Sequence, residues 1–350
     1  MDTITHALSG ALIARATARA AQATPLPRRL LLGTAAAAFP DADFVLSAGA
    51  PIAYLLNHRG ITHSLVLLPA WAWLLAWLAA LLWRDPRGWR PYIGVCAMGV
   101  GIHIAGDVIT SYGTMILAPL SDARFSLGTT FIIDLYFSGI ILAGLAASGV
   151  WRASRAPAIA AMAVLAAYVG LQAVLKNAAI EAGEGYARAQ GLAGANVSAL
   201  ERPLSPFNWR IIVARGDEQR YADVSLIAKT MPPAPADDAG LIARLAAAFA
   251  PPSMARWTAA PRFGASAEEQ RIAREAWRQP AFAFYRWFAD YPALYRIERD
   301  NPRICVWFED LRFTTPGRRD TPFRYGLCRE GSGPWQPHRL LADGGRAPLY

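Results

Sequence analysis

Four of the five histidines of this chain lie within its first 107 residues, each near an aspartate or inside an apolar segment. Imidazole and carboxylate groups in apolar surroundings cost free energy unless something compensates them. Together these side chains supply enough ligands for one or two hard-to-borderline divalent metal ions. The predicted metal ligands are His6, Asp41, His58, His63, His103 and Asp107.

His103 and Asp107 lie four residues apart in the apolar segment HIAGD. That spacing places both side chains on one face of a helix, where they can reach the same ion. A His–Asp hydrogen bond that stabilises helix packing is the alternative, and this pair alone does not decide between the two.

The other candidates come in two short motifs, FPDAD and HRGITH. Asp41 and Asp43 follow a proline, so a turn and a helix N-cap would also explain them. His58 and His63 flank Gly60, which predicts a turn that leads into a helix; a polar interface loop is the alternative. The membrane topology predicted below places these motifs on the same side of the membrane, and this shared position favours a metal site.

The hydrophobic fraction is 54% and the charged fraction only 17%, below the roughly 25% charged content typical of soluble proteins. The apolar excess lies in residues 1–176, which we predict to be a helical membrane domain. It would contain four membrane spans and an N-terminal helical pair within residues 3–39, which either spans the membrane or forms a re-entrant hairpin. The predicted spans are 64–83, 91–117, 130–150 and 156–175.

Arginine placement predicts the orientation of this polytopic domain. Arginines cluster at residues 15–29, 84–90 and 152–155, and the positive-inside rule places all three groups in the cytoplasm. The candidate ligands then gather at the opposite, outer face. Ion transporters usually distribute such groups across the membrane depth and between repeated halves, and no repeat is visible here.

Residues 177–350 have ordinary composition and are predicted to form a non-cytoplasmic α+β domain. Strands are expected in residues 202–215, 221–229, 303–313 and 323–330, and helix in 240–295. Cys305 and Cys328 lie in two strand-like segments that could pair, so an oxidising compartment would favour a disulfide between them. Cys96 is expected to remain a free thiol in the apolar core.

The order of motifs resembles the YdjM-like family, which is described as LexA-regulated, membrane-bound metal-dependent hydrolases. The matching residues are Met1–His6, Phe39–Asp43, His58–Ser64, His103–Thr114 and Asp134. The resemblance covers residues 1–150 well. It implies a bacterial inner-membrane hydrolase with a divalent metal.

That family is in turn distantly similar to zinc-dependent phospholipase C, whose multi-zinc site includes an H-x-x-x-D pair. The similarity implies that His103, Asp107, Asp41 and one of His58 or His63 are ligands. The later H-x-x-x-E pair of those enzymes is missing here, so one or two ions fit better than three.

We therefore expect a membrane hydrolase of a phosphodiester or another ester, with a lipid-like substrate at the outer membrane face. Asp43 or Asp134 would orient the attacking water, and Arg59 would stabilise the developing negative charge. A non-catalytic metal-binding or transport protein is the alternative. The net charge of +9 divides almost evenly between the halves, which predicts no nucleic-acid partner.

Overall fold

The computed structural model of the chain describes residues 1–19, 24–47, 50–236, 238–316, 318 and 321–349. Within these ranges the chain forms two compact units. The first comprises Met1–Ala48 and Asn57–Val174, and the second comprises Gly49–Leu56 and Leu175–Tyr350. The first unit is helical, and it contains all the predicted metal ligands.

The helices begin with α1 (Thr3–Ala16) and α2 (Leu26–Ala38), and a 3₁₀ helix at Phe39–Ser47 follows α2 directly. Next come α3 (Pro51–Asn57), a short 3₁₀ turn at Ile61–His63, α4 (Leu68–Leu82), α5 (Ile93–Val108), α6 (Leu135–Val150) and α7 (Ala156–Ala189). Asp2 caps α1, because its carboxylate accepts a hydrogen bond from the Thr5 amide.

Glycines allow α1, α2 and α5 to approach one another closely. A Cβ atom on Gly10 of α1 would lie 2.1 Å from the carbonyl oxygen of Gly33 in α2. A Cβ atom on Gly99 of α5 would lie 2.7 Å from the Cβ of Ala36. This close packing brings the start of α1, the end of α2 and the end of α5 to the same place.

The helices within the predicted spans differ in length from the sequence-based expectation. Helices α4, α5 and α6 are 15 or 16 residues long, roughly 23 Å at 1.5 Å per residue. Of the described helices, α7 is long and apolar enough to cross a membrane, and a broken pair, Pro51–His63 with Leu68–Leu82, would be a second. The polytopic arrangement therefore stays a proposal.

The predicted span 91–117 was wrong in its second half. Helix α5 ends at Val108, and the chain then turns, with an isolated bridge between Thr114 and Phe125. Helix α7 instead continues past the predicted limit of 175 to Ala189, because its later part packs on a sheet of the second unit.

The described residues of the second unit form two antiparallel sheets with strand orders β1-β2-β3-β4 and β5-β6-β7-β8-β9. The strands are β1 (Asn196–Glu201), β2 (Asn208–Arg215), β3 (Glu218–Ser225), β4 (Thr258–Ala259), β5 (Pro292–Asp300), β6 (Arg303–Asp310), β7 (Tyr325–Glu330), β8 (Gln336–Leu340) and β9 (Arg346–Pro348). The C-terminal end of α7 packs on β1–β3.

The helical prediction for residues 240–295 was only partly correct. The segment contains α8 (Leu241–Ala246), α9 (Ala267–Trp277) and α10 (Ala283–Phe288), but also β4 and the start of β5. In the second sheet, Cys305 of β6 pairs directly with Cys328 of β7. The predicted disulfide between them is confirmed, and Cys96 is a buried free thiol.

Candidate metal centre

Four side chains of the first unit point their ligand atoms at one another. They are the metal-facing cluster, which consists of Asp41, His63, His103 and Asp107. Their ligand atoms all lie within 4.8 Å of one another. Three are fully buried, whereas the Asp41 side chain is 14% exposed.

Each member comes from a different helix end or turn, except for the pair on α5. Asp41 lies in the 3₁₀ helix that follows α2, and His63 ends the 3₁₀ turn before α4. His103 and Asp107 lie one turn apart near the C-terminal end of α5, as the four-residue spacing predicts. The close packing of α2 against α5 therefore places Asp41 beside His103.

In the neutral form of the two imidazoles, which is the form that binds a metal ion, the hydrogen bonds place the proton on Nδ1. His103 Nδ1 lies 2.6 Å from the carbonyl oxygen of Ala37, which only accepts, so Nδ1 is the donor. His63 Nδ1 lies 2.9 Å from the Thr62 hydroxyl, which itself donates to Asp43 Oδ2 over 3.4 Å. Both Nε2 atoms therefore present lone pairs.

These two Nε2 lone pairs face each other at 2.9 Å. Two acceptors at this distance repel unless a cation, either a proton or a metal ion, binds both of them. Asp107 Oδ2 is buried and lacks a hydrogen-bond partner, although it lies 3.1 Å from His63 Nε2 and 3.4 Å from His103 Nε2. A buried carboxylate oxygen without a donor is costly, and a metal ion would satisfy it.

The spacing of the cluster fits a tetrahedral ion. Asp41 Oδ1 lies 3.8 Å from His63 Nε2 and 3.6 Å from His103 Nε2. Ligand atoms at about 2.0–2.1 Å from a tetrahedral zinc lie about 3.3 Å from one another. The donor set of two imidazoles and two carboxylates and these distances therefore fit a divalent metal.

Asp41 forms the accessible side of the cluster. Its second oxygen, Oδ2, accepts a hydrogen bond of 2.6 Å from the Thr3 hydroxyl. Burial would raise the pKa of the Asp41 carboxyl, but the hydrogen bond from Thr3 favours the charged form, and the pKa lies below its ordinary value. Asp41 is therefore ionised and ready to bind a cation.

His6 and Arg59 contact the cluster through the other oxygen of Asp107. His6 Nε2 and Arg59 Nη2 each lie 3.0 Å from Asp107 Oδ1. His6 also stacks on His103, with ring centroids 3.7 Å apart. Arg59 is buried, donates to the Thr110 hydroxyl and lies over Tyr112. Both residues orient Asp107, and stabilisation of substrate charge by Arg59 stays a prediction.

His58 and Asp43 lie behind His63. His58 Nδ1 is 2.9 Å from Asp43 Oδ1, and Asp43 Oδ2 accepts the Arg59 amide. Asp43 Oδ2 is also 3.7 Å from His63 Nδ1, on the side of the ring that faces away from the cluster. Such a carboxylate behind a ligating histidine orients the ring and raises its basicity. This position favours orientation of His63 over orientation of the attacking water.

Asp134 serves as the N-cap of α6. One carboxylate oxygen accepts the amides of Tyr136 and Phe137. The other accepts from the Tyr168 hydroxyl and the Gln172 amide. These contacts account for a structural role, and none of them joins Asp134 to the metal-facing cluster. In the described part of the chain, none of these contacts of Asp134 supports its predicted role, which was to orient the attacking water.

Sequence reasoning missed Thr62, Thr3 and the Ala37 carbonyl, which position the ligands by hydrogen bonds. Thr62 precedes His63 directly, and Thr3 belongs to the N-terminal motif. Hydroxyls beside candidate ligands are the signal that would have found the two threonines. A backbone carbonyl leaves no signal in the sequence.

Comparison with known proteins identifies the family of the helical half. The family described as YdjM inner membrane protein matches residues 1–179, about half of the chain. The chain belongs to the YdjM family. This family match contains every member of the metal-facing cluster, and the second unit lies almost entirely outside it.

The chain is also similar to a curated protein that is described as uncharacterized protein YfhP. The protein YfhP of Bacillus subtilis (strain 168) is 28% identical over 131 residues. The aligned region is 37% of this YdjM-family chain and 39% of the YfhP protein, so the chain spans about two fifths of that relative's length. No solved structure matches the chain.

Proposed function

We propose that this YdjM-family protein is a membrane-bound, metal-dependent hydrolase of a phosphodiester or another ester, with a lipid-like substrate. The observation that supports the proposal best is the pair of Nε2 lone pairs that face each other at 2.9 Å beside the unpartnered Asp107 oxygen. His63, His103, Asp107 and Asp41 would hold the ion, and zinc suits this donor set. When bound, a divalent ion supplies Lewis acidity and lowers the pKa of water.

The side chains around the cluster have distinct proposed tasks. His63, His103 and Asp107 form a buried set of two imidazoles and one carboxylate, a ligand number typical of catalytic zinc sites. Asp41, at 14% exposure, lies on the side from which substrate would enter. Exchange of Asp41 for substrate would leave the other three ligands in place. Arg59, Thr62 and Asp43 would keep those ligands in position throughout turnover.

One observation favours non-catalytic metal binding as a second candidate. The cluster already offers four ligand atoms, and three of the four side chains are fully buried. Closed four-ligand sites are typical of structural zinc, whereas catalytic sites keep one position open. The two candidates therefore differ in whether Asp41 is a permanent ligand.

Turnover by purified full-length protein in detergent separates these candidates. A phosphodiester, a carboxylate ester and a phospholipid would each be assayed with zinc, after chelation and after zinc is restored. The hydrolase proposal expects turnover that chelation abolishes and that His103→Ala removes, whereas His338→Ala in the second unit retains it. Stoichiometric metal binding without turnover of any of these esters would contradict the proposal and favour a metal-binding or transport role.

We also propose that the metal centre and the second unit lie on the outer side of the inner membrane. Arginine placement supports this orientation, and so does the Cys305–Cys328 disulfide, because such bonds persist in oxidising compartments. A reporter fused to the C-terminus that works only outside the cytoplasm should be active. Activity of a reporter that works only in the cytoplasm would refute the orientation.

A further inference from the structure

An open cavity of about 880 Å³ lies beside the C-terminal end of α1, at one end of the helical unit. His6 is at the opposite end of α1, nine residues from Arg15, or about 14 Å along the helix axis. The cavity is therefore separate from the metal-facing cluster. Its volume lies within the range of about 300–1,000 Å³ that is typical of ligand sites.

Arginines dominate the walls of this cavity. Its described lining contains Arg15, Arg19, Arg152 and Arg155, and no aspartate or glutamate. Arg15 is buried, with 6% of the residue exposed, and its guanidinium donates to the carbonyl oxygens of Arg152 and Ser154 over 2.8 and 2.6 Å. These bonds hold a buried positive charge against the 151–155 loop. A concave surface with fixed cations and no lining anion selects a negatively charged ligand.

Two helix N-termini also meet the cavity. Helix α2 begins after Pro25, which provides no side-chain cap, and α7 begins directly after Arg155. The positive end of each helix dipole favours anions. Both helix ends add to the arginine charges in the recognition of phosphate oxygens.

The surroundings of the cavity favour a lipid over a soluble anion. Helix α7, the long apolar helix of the described chain, starts at the cavity wall. Trp151, in the same loop, is 61% exposed, and tryptophan concentrates at the level of lipid headgroups. Basic pockets between membrane helices bind the headgroups of anionic lipids. We propose that this cavity binds the phosphodiester headgroup of an anionic phospholipid.

The test measures lipid affinity of the full-length protein in a nonionic detergent by native mass spectrometry. Phosphatidylglycerol and phosphatidylcholine are titrated separately, and inorganic phosphate is the competitor. The variants are Arg19→Gln and Arg152→Gln, whose side chains are exposed; Arg15 stays because it holds the loop backbone. Arg90→Gln, an exposed arginine in another loop, is the matched control.

Phosphatidylglycerol should bind more tightly than phosphatidylcholine. Each single variant should weaken the binding of phosphatidylglycerol about fivefold and the double variant about 25-fold, because each arginine near a headgroup contributes about 1 kcal/mol. The control Arg90→Gln should have no effect on this affinity. Metal content and melting temperature of the variants should match the unmodified protein, which shows that they are folded. Equal affinity for both lipids, or unchanged affinity in the double variant, would overturn the proposal. Displacement of the lipid by millimolar inorganic phosphate would also overturn it, in favour of a site for soluble phosphate.

Discussion

Replacement of His103 by alanine should remove most of the affinity of the protein for its metal ion. His103 supplies one of the four ligand atoms of the cluster, and its Nε2 lies within 3.6 Å of those of His63, Asp41 and Asp107. Binding of zinc to four-ligand structural sites contributes about 10–16 kcal/mol. One ligand of four then contributes about 3 kcal/mol, which corresponds to a roughly hundredfold loss of affinity.

The assay is competition with a chromophoric chelator at constant pH, together with metal analysis of the purified protein. His338→Ala is the matched control, because His338 belongs to the second unit and contacts the Gln336 carbonyl. The control should bind one ion with unchanged affinity. If His103→Ala retained the affinity of the unmodified protein, the ligand assignment would be refuted.

Three other substitutions each test one contact within a unit: a hydrogen bond at the metal centre, the packing of α1 on α2, and the disulfide of the second unit. Thr62→Val should weaken metal binding 10- to 100-fold, since it removes the hydrogen bond that orients His63, and Thr62→Ser should restore it. Gly10→Ala should destabilise the helical unit by about 1–3 kcal/mol in thermal unfolding, because its Cβ would clash with the Gly33 carbonyl. Cys305→Ser opens a disulfide with a sequence separation of 23 residues and should lower the stability of the second unit by about 3 kcal/mol in denaturant unfolding.

Each of these substitutions has a result that would contradict its reasoning. Equal metal affinity of Thr62→Val and Thr62→Ser would show that the hydroxyl does not orient His63. Gly94→Ala in α5, where a Cβ meets nothing within 4 Å, is the control for Gly10→Ala, and equal effects would exclude the close helix contact. Unchanged unfolding of Cys305→Ser would show that the disulfide contributes no stability.

The sequence predicts the ligand pair on α5 well, because helical periodicity alone places His103 and Asp107 on one face. It also identifies the FPDAD and HRGITH motifs as sources of ligands. It does not tell His58 from His63, since their roles depend on the turn between them. Arg59 adopts a positive φ of 60° in that turn. As a result, the His58 ring contacts Asp43, whereas the His63 ring points into the metal-facing cluster.

The ends of helices and the strands of the second unit were harder to predict. The apolar run 91–117 looks continuous, yet α5 ends at Val108, and the Leu127, Thr129 and Thr130 amides then bond to the carbonyls of Val108 and Ile109. Strand β5 (Pro292–Asp300) begins inside the segment 240–295 that the sequence predicts to be helical. It is a strand because β6 pairs with it along its length, a tertiary contact that local sequence does not report.

X-ray absorption spectroscopy of the zinc-loaded, full-length protein tests the proposed metal centre most directly. The account predicts two imidazole nitrogens and carboxylate oxygens at about 2.0–2.2 Å from the metal. In His103→Ala, one imidazole should be lost from this shell, and His338→Ala should leave it unchanged. A shell with sulfur, or with oxygen alone and no imidazole, would contradict the assignment of Asp41, His63, His103 and Asp107 as the metal ligands.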